Sequence, residues 1–232
     1  MKWLWAWLMS LLTVTNPVAS PAPAAATVLQ EQGGFLYSQV SVADVSRLRL
    51  FSNLADQKSA TELAAAKNCE VLVNAGFYDT NNRHLGWFLS GGEELSPRQA
   101  NRLFDGFLSV ASGRAEIGFN PGEAADFGLQ SGPVLVFDSK PFQLSIKDDQ
   151  PRRRVAAALT RDNQLMFLVI LSPQSDYSGP LLADTPKIIA AINPQIVSAI
   201  NLDGGSASAF ITPKVNLPEY QPLGGFFCYT KL

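Results

Sequence analysis

Short strand-like segments, separated by turns rich in glycine, asparagine and aspartate, dominate this sequence and limit the folds open to it. Only two segments have a helical pattern, Ser59 to Lys67 and Thr185 to Asn193. The strand-like segments lie at 28–42 (a strand pair), 41–51, 70–73, 85–89, 106–110, 115–119, 129–137, 154–159, 164–171, 196–202 and 224–229. Because strands and helices do not alternate strictly, the pattern favours an α+β domain of strand-rich mixed sheets with a few flanking helices.

Composition narrows the class of protein. Hydrophobic residues make up 47% and charged residues 16% of the 232 residues, which is typical of a globular chain that forms one domain. The formal net charge of −2 argues against a nucleic-acid partner, since such binders carry a basic face. The single histidine, His84, excludes a multi-histidine metal site. No cofactor or metal ligand set is predicted, although a structural divalent cation stays open, and the sequence does not define an oligomeric state.

The amino terminus has the pattern of an export signal. Lys2 precedes a short apolar run from Trp3 to Val14, and small residues at Ala24–Ala26 offer cleavage positions. We therefore predict a signal peptide over 1–26, a mature domain over 27–232, and a periplasmic or secreted location. The alternative is an uncleaved amino-terminal anchor. No later apolar run is long enough to span a membrane, so no span is predicted in the mature chain.

Two cysteines, Cys69 and Cys228, remain in the mature chain. In an oxidising compartment they would pair and tie the carboxyl-terminal strand to the core. Two separate buried thiols fit the sequence equally well, because cysteine packs as a small apolar residue.

The turn after the strand-like segment 196–202 concentrates polar groups. Asp203 precedes Gly204 and Gly205, which allow a ligand to approach the backbone closely and can form an anion-binding nest of amides. Ser206 and Ser208 add hydroxyl groups. Asp203 would act there as a base, an acid or an acceptor for sugar hydroxyls. The alternative is a structural turn in which Asp203 caps neighbouring amides.

Three further segments carry groups of the same kind. Asn74 opens the turn Asn74–Tyr78, where its amide both donates and accepts and the aromatic residues can stack on a sugar. A polar turn at 130–133 leads into an apolar strand. Three arginines at 152–154 precede another strand, and a guanidinium fork suits phosphate. Alternate strand residues face opposite ways, so we select Arg154 and expect the other two arginines on a solvated edge.

Together these segments resemble the phosphodiester glycosidase family, which includes the enzyme that uncovers mannose 6-phosphate on lysosomal proteins and many bacterial members. The family shows an N-x-G-F-[FY] turn, an S-G-P-x-L segment, an R-[TS]-A strand and a closing N-L-D-G-G turn. Here the corresponding residues are Asn74–Tyr78 (NAGFY), Ser131–Leu135 (SGPVL), Arg154–Ala156 (RVA) and Asn201–Gly205 (NLDGG), in the same order.

The resemblance implies cleavage of a sugar-1-phosphodiester at the anomeric carbon, with a glycan or sugar-phosphate substrate. Such a bond breaks through a cation-like sugar, which requires a carboxylate and a cradle for the leaving phosphate. On this basis the implied catalytic residues are Asp203, Asn74 and Arg154. The implied substrate-binding residues are Gly76, Ser131, Gly132, Gly204, Gly205, Ser206 and Ser208. The amides of 204–206 would hold phosphate with Arg154, and we expect Asn74, Ser131, Arg154 and Asp203 to converge on one pocket.

Two positions depart from the family pattern. Val155 stands where the family has Thr or Ser, and Ala207 stands where relatives often carry a serine. These departures leave the substrate open. No second carboxylate is evident, and Asp79, Glu93 and Asp105 are the candidates.

Two rival functions remain at this stage. The first is a non-catalytic exported protein that binds glycan or assists exopolysaccharide assembly, since a fold does not determine function. The second is a serine hydrolase using Ser206 or Ser131 with His84, although the G-x-S-x-G motif is missing. Without such a partnership, His84 is expected to be a loop residue.

Overall fold

The computed structural model describes residues 29–231, so the predicted signal peptide lies outside the described residues. Its α-helices are α1 (Ala60–Ala66) and α2 (Thr185–Ile192). The strands are β1 (Gln30–Gln32), β2 (Phe35–Ser41), β3 (Leu48–Ser52), β4 (Cys69–Asn74), β5 (Phe88–Ser90), β6 (Glu93–Ser96), β7 (Gly106–Ala111), β8 (Arg114–Gly118), β9 (Phe127–Ser131), β10 (Val134–Phe137), β11 (Lys140–Pro141), β12 (Arg154–Thr160), β13 (Leu165–Leu171), β14 (Ile196–Asn201), β15 (Phe210–Ile211), β16 (Asn216–Leu217) and β17 (Gly225–Thr230).

Three sheets share one apolar core. The largest has seven strands in the order β1-β2-β13-β12-β14-β10-β11. The other two have five strands each, in the orders β16-β15-β4-β17-β3 and β6-β5-β9-β7-β8. All three contribute to the main core, for example through Val155, Val73 and Leu129. A strand buried on both faces needs apolar side chains at every position, which explains the continuous apolar run of β13.

Each helix covers the outer face of a sheet. Ile189 of α2 packs on the second face of the seven-stranded sheet, and Leu63 of α1 packs on β4 and β17. Helix α1 begins with a capping box, in which the Ser59 side chain accepts from the Glu62 amide and the Glu62 carboxylate accepts from the Ser59 amide. Pro186 in the first turn of α2 suits a position where no amide donor is needed.

Both predicted helices and the strand-rich character agree with the structure, but the sheets are not mixed. Every strand pairing found in residues 29–231 is antiparallel. The single strand predicted over 41–51 is also wrong. There Asp44 caps a short 3-10 helix, Val45–Arg47, and its side chain accepts from the Ser46 amide, so the chain turns before β3 begins.

A disulfide joins Cys69 to Cys228, which decides between the two alternatives left by the sequence. It links the first residue of β4 to β17, beside α1. In the part of the chain described, no helix has the length and apolar character needed to cross a membrane.

Candidate active site

The turn that follows β14 lies directly against the turn that follows β4. The Asp203 amide donates to the Ala75 carbonyl oxygen at 3.0 Å. In return, the Asn74 side-chain Nδ2 donates to the Asp203 carbonyl oxygen at 2.6 Å. The NAGFY and NLDGG segments, far apart in sequence, therefore form one unit of structure with Asp203 at its centre.

The pKa of the Asp203 carboxyl lies well above its ordinary value. Burial raises its pKa from 3.8 to about 7, although a hydrogen bond from the Gly204 amide favours the ionised form. The pKa of Tyr78 is also raised, first by burial and then by the negative charge of Asp203. The Tyr78 hydroxyl donates to the Pro222 carbonyl oxygen at 2.7 Å, which fixes its ring beside this carboxyl. A carboxyl that titrates near neutrality is suited to acid–base work or to charge stabilisation.

Asn74 is a buried bracing residue. It is 1% exposed, and its Oδ1 accepts from the Ala209 amide at 3.0 Å while Nδ2 donates to the carbonyl oxygens of Asp203 and Ala75. All of these partners are backbone atoms. The predicted direct role of Asn74 in catalysis therefore gives way to a role in holding the Asp203 turn in place.

Ser131 and Gly132 brace the same turn from the other side. The Ser131 hydroxyl donates to the Asn201 carbonyl oxygen at 2.7 Å, and the Asn201 side-chain Nδ2 donates to the Gly132 carbonyl oxygen at 3.0 Å. Ser131 has no exposed surface, so its predicted contact with substrate does not fit its position. A Cβ built on Gly76 would lie 3.2 Å from the Gln130 carbonyl oxygen, so a side chain there would require a small shift of one of the two turns.

Two arginines lie against the two glycines of the closing turn. A Cβ built on Gly204 would lie 3.8 Å from Arg154 Nη1, and one built on Gly205 would lie 3.3 Å from Arg152 Nη1. Arg154 is anchored through its other nitrogens, which donate to Asp149 at 3.2 Å and to the carbonyl oxygens of Pro180 and Gln150. Burial lowers the pKa of Arg154, Asp149 opposes this shift, and the positive charge of Arg152 adds to it. Two neighbouring cations of this kind attract an anion between them.

Arg153 corrects a prediction about the basic run. The sequence suggested a solvated edge for two of the three arginines, but Arg153 is completely buried. Its Nε donates to the Ser208 hydroxyl at 2.7 Å, and Nη2 donates to the Ser208 and Pro218 carbonyl oxygens. Ser208 is buried as well, and its hydroxyl donates to the Gly205 carbonyl oxygen. Arg153 and Ser208 thus support the turn from its buried side, so Ser208 is not placed to contact substrate.

The predicted nest of free amides at 204–206 is not formed as expected. The Gly204 amide is bonded to the Asp203 carboxyl, and the Gly205 amide donates to the Arg153 carbonyl oxygen at 2.9 Å. Gly205 has a φ of +66°, which favours glycine, and this conformation turns the chain into the short 3-10 helix Gly205–Ala207. Ser206 is partly exposed, and its hydroxyl donates to the Gln221 side chain at 2.8 Å. Its hydroxyl is therefore a polar group of this turn that a ligand can reach.

None of the other acidic candidates is among the causes of the raised Asp203 pKa, which are burial and the opposing Gly204 amide. Asp79 is paired with Arg83 at 2.8 Å, and Glu93 is exposed on β6. Asp105 faces the Val134 amide at 3.4 Å. Within residues 29–231, no group of three or more His, Cys, Asp or Glu side chains is arranged to hold a metal ion.

His84 lies in the segment between β4 and β5, as expected for a loop residue, but its side chain is buried. Its Nε2 lies 2.8 Å from the Ser52 hydroxyl and its ring stacks on Phe88 at 3.7 Å. Neither Ser206 nor Ser131 is its partner, since Ser206 bonds Gln221 and Ser131 bonds the Asn201 carbonyl. The serine hydrolase predicted from those two serines therefore lacks its base.

Val155, which stands where the family pattern has Thr or Ser, lies in the core and not in the turn. Val155 has no exposed surface and points into the core shared by the three sheets. A hydroxyl at this position would not lie beside Asp203, so its loss leaves the polar groups of the turn unchanged. Ala207 is 7% exposed and lies within the 3-10 helix that follows Gly204.

The four segments thus meet in the structure, and comparison with known proteins identifies the family of the chain. The sequence profile of the phosphodiester glycosidase family matches residues 67–226, which includes all four segments and more than half of the chain. The chain belongs to the phosphodiester glycosidase family. No curated protein matches it in sequence.

Solved structures show the same fold at low sequence identity. The catalytic domain of zebrafish N-acetylglucosamine-1-phosphodiester alpha-N-acetylglucosaminidase, auto-inhibited by its pro-peptide, aligns with a TM-score of 0.64 and 14% identity, over 90% of this chain and 87% of that chain. A hypothetical protein from Synechocystis aligns with a TM-score of 0.58 and 15% identity, over 86% of this chain and 60% of that one. A Burkholderia pseudomallei protein whose name calls it exported has a TM-score of 0.58 and 12% identity, over 85% and 74% of the two chains. At these identities the likeness shows the fold alone.

Proposed function

We propose that this chain is an exported glycosidase that hydrolyses a sugar-1-phosphodiester, such as an N-acetylglucosamine-1-phosphodiester. The observation that carries the proposal is the arrangement of Asp203 beside Gly204 and Gly205, with Arg152 and Arg154 packed on the two glycines. One carboxyl next to an anion-attracting pair of guanidinium groups suits a bond between an anomeric carbon and a phosphate oxygen.

Asp203 acts in its ionised form in this proposal. The bond from the anomeric carbon to the phosphate oxygen breaks, and the electron pair leaves with the phosphate monoester. The carboxylate stabilises the positive charge that develops on the sugar and accepts a proton from the water that attacks the anomeric carbon. The phosphate is a good leaving group, so the proposal requires no second carboxyl acting as an acid.

Arg152, Arg154 and Ser206 hold the phosphate. Arg154 is pre-positioned by Asp149 while its Nη1 faces Gly204, so little side-chain freedom is lost when an anion binds. Arg152 is partly exposed, and Gly205 leaves room for its guanidinium beside the turn. Asn74 and Ser131 act through the backbone by holding the Asp203 turn.

Two observations support export. The disulfide between Cys69 and Cys228 is typical of proteins that mature in an oxidising compartment. The pattern of residues 1–26 agrees with a signal peptide. A periplasmic or secreted enzyme of this class would act on a glycan or sugar-phosphate.

A turnover assay tests the proposal. Purified mature protein is incubated with N-acetylglucosamine-1-phosphate methyl diester, and the release of free sugar is measured beside the Asp203→Asn variant. Release by the wild type and its loss in the variant would support the assignment. If the wild type releases no sugar from any of a panel of sugar-1-phosphodiesters while both proteins bind glycan equally well, the non-catalytic glycan-binding function is correct.

A further inference from the structure

The single histidine of the chain forms a hydrogen bond with a serine in the wall of a large cavity. The Nε2 of His84 lies 2.8 Å from the Oγ of Ser52, the last residue of β3. Ser52 is exposed, whereas His84 is only 6% exposed. The pair therefore joins a hydroxyl that a ligand can reach to an imidazole that is shielded from bulk water. This distance is within the range that separates a nucleophile from its base in hydrolytic enzymes.

Three contacts fix the orientation of the imidazole. Its ring stacks on the Phe88 ring, with centroids 3.7 Å apart and planes at 9°. The backbone of His84 forms an antiparallel bridge with Tyr78, and its carbonyl oxygen accepts from the Ser96 hydroxyl at 3.1 Å. The direction of Nε2 towards Ser52 is therefore set by packing before a ligand arrives, which is a requirement for a catalytic group.

The cavity has a volume of about 830 Å³, and the turn at 201–206 does not line it. One part of its wall is apolar and consists of Leu54, Ala55, Leu85, Leu95 and Pro97. The side chains of Asn82 and Gln99 also line it, and their amides are hydrogen-bond donors. An apolar wall with a few polar groups suits a small organic molecule that carries one polar centre.

The protonation state of His84 leaves Nε2 able to accept a proton. Burial lowers the pKa of His84 to about 4, so the ring is neutral at neutral pH. With the ring proton on Nδ1, the Nε2 lone pair accepts the hydrogen bond from Ser52, as in an activated serine. The buried Nδ1 has no partner among residues 29–231, so no carboxylate stabilises the charged ring. Both properties make His84 a weak base, and we expect slow turnover.

We propose that Ser52 and His84 are the nucleophile and the base of a second active site, which hydrolyses carboxylic esters with a small acyl group. The acyl group would lie on the apolar wall of the cavity. This reaction is separate from the chemistry at Asp203 and does not depend on the proposed function.

The reaction has two steps. In the first, Ser52 Oγ attacks the ester carbonyl carbon and its proton passes to His84 Nε2; the bond to the alcohol oxygen then breaks, and the alcohol leaves with that proton. In the second, water attacks the acyl-serine and gives a proton to Nε2, the carboxylic acid is released, and the proton returns to Ser52 Oγ. The amides of Asn82 and Gln99 are the donors available for the negative charge on the carbonyl oxygen.

Covalent labelling tests the nucleophile. Folded mature protein is treated with a fluorophosphonate probe, and the labelled residue is identified by peptide mass spectrometry. We expect one adduct, on Ser52, and none in Ser52→Ala, which replaces an exposed side chain and should keep the melting temperature. Ser90→Ala is the matched control, because Ser90 is a partly exposed serine outside the cavity, and it should be labelled as fast as the wild type. An unlabelled wild type, or labelling confined to another serine, would overturn the proposal.

The kinetics of p-nitrophenyl acetate hydrolysis test the base and the acyl-enzyme. The wild type should release a burst of about one equivalent of nitrophenol and then turn over slowly, because the weak base limits deacylation. The burst should be lost in Ser52→Ala and kept in Ser90→Ala. His84→Gln should slow both the burst and the labelling of Ser52 about 100-fold. Equal rates in His84→Gln and the wild type would reject His84 as the base, and a burst that persists in Ser52→Ala would reject the site.

Discussion

The side-chain amide of Asn74 donates a 2.6 Å hydrogen bond to the backbone carbonyl oxygen of Asp203, and its Oδ1 accepts from the Ala209 amide. One buried side chain therefore holds both ends of the segment that carries the candidate carboxyl and the two glycines. The consequence is that stability and activity should depend on Asn74 together, without any contact between Asn74 and substrate.

Replacing Asn74 with Ala should lower the free energy of unfolding by roughly 2–4 kcal/mol, because a buried amide and a buried carbonyl lose their partners. It should also lower kcat, since the Asp203 turn is released. Urea unfolding and sugar-release kinetics measure the two effects. Asn53→Ala is a matched control, because Asn53 is equally buried and bonds only backbone atoms of Lys58 and Leu223. A comparable loss of kcat in both variants would mean that activity only follows stability.

The raised pKa of Asp203 predicts the pH dependence of activity. Because the carboxylate is the active form in our proposal, kcat/KM should fall as the pH drops through about 7, the pKa of this carboxyl in the free enzyme. A pH–rate profile measured with the methyl diester provides the test. An activity that instead falls as the pH rises through this value would show that Asp203 works as a proton donor.

The raised pKa of Asp203 also makes the free energy of unfolding depend on pH. Its folded pKa of about 7 lies above the ordinary value of 3.8, so the folded state holds a proton that the unfolded chain releases between these values. The contribution of Asp203 to stability therefore decreases as the pH rises from about 4 to 7. Asp203→Asn should be more stable than the wild type at pH 8, by roughly 4 kcal/mol, and similar to it near pH 4. A constant difference across this range would contradict the assigned pKa.

Arg152 and Arg154 should together determine anion affinity. Removing the charge with Arg152→Ala should weaken inhibition by inorganic phosphate about tenfold, and the remaining affinity should depend less on ionic strength. Arg154→Lys keeps a charge but loses the fork that holds Asp149 and the neighbouring carbonyl oxygens, so it should weaken phosphate binding and lower the melting temperature. Arg49→Ala, at an exposed position on β3, is the matched control and should leave phosphate inhibition unchanged.

Local signals predicted much of this fold. The helical patterns over 59–67 and 185–193 correspond to α1 and α2, because the capping box at Ser59 and Pro186 in a first turn depend only on neighbours in sequence. The strand predicted over 41–51 is wrong because alternation of apolar and polar residues does not reveal that Asp44 caps a 3-10 helix.

The parts of the site that the sequence did not predict depend on distant partners. Arg153 is buried because Ser208 and Pro218, 55 and 65 residues away, supply its acceptors. The Ser131 hydroxyl is used by the Asn201 carbonyl, 70 residues away. The pairing of Ser52 with His84 likewise depends on tertiary structure. The order of the motifs predicted which segments form the site. Which side chains face a ligand and which brace the turn depends on the tertiary structure.

The disulfide should stabilise the fold mainly by restricting the unfolded chain. Cys69 and Cys228 are 159 residues apart, so their bond closes most of the described chain into a loop. The Cys69→Ser, Cys228→Ser double variant should lose roughly 2–5 kcal/mol of unfolding free energy. Thermal unfolding of the double variant and of the wild type under reducing conditions measures this loss. Equal melting temperatures for the oxidised wild type and the double variant would show that the bond contributes nothing.

His84 should make the protein sensitive to acid, in opposition to Asp203. Burial lowers the pKa of His84 from 6.5 to about 4. Between these pH values the unfolded chain therefore binds a proton that the folded chain does not bind. Its contribution to stability is therefore complete above pH 6.5 and decreases as the pH falls towards 4. Asp203 has the opposite dependence over nearly the same range, so the two partly cancel in the wild type. We expect the acid-dependent loss to emerge in Asp203→Asn, by on the order of 2 kcal/mol between pH 7 and pH 4, and to shrink when His84→Gln is added. Unfolding free energies of the single and double variants measure this, and an unchanged pH slope after the second substitution would assign the loss to other groups.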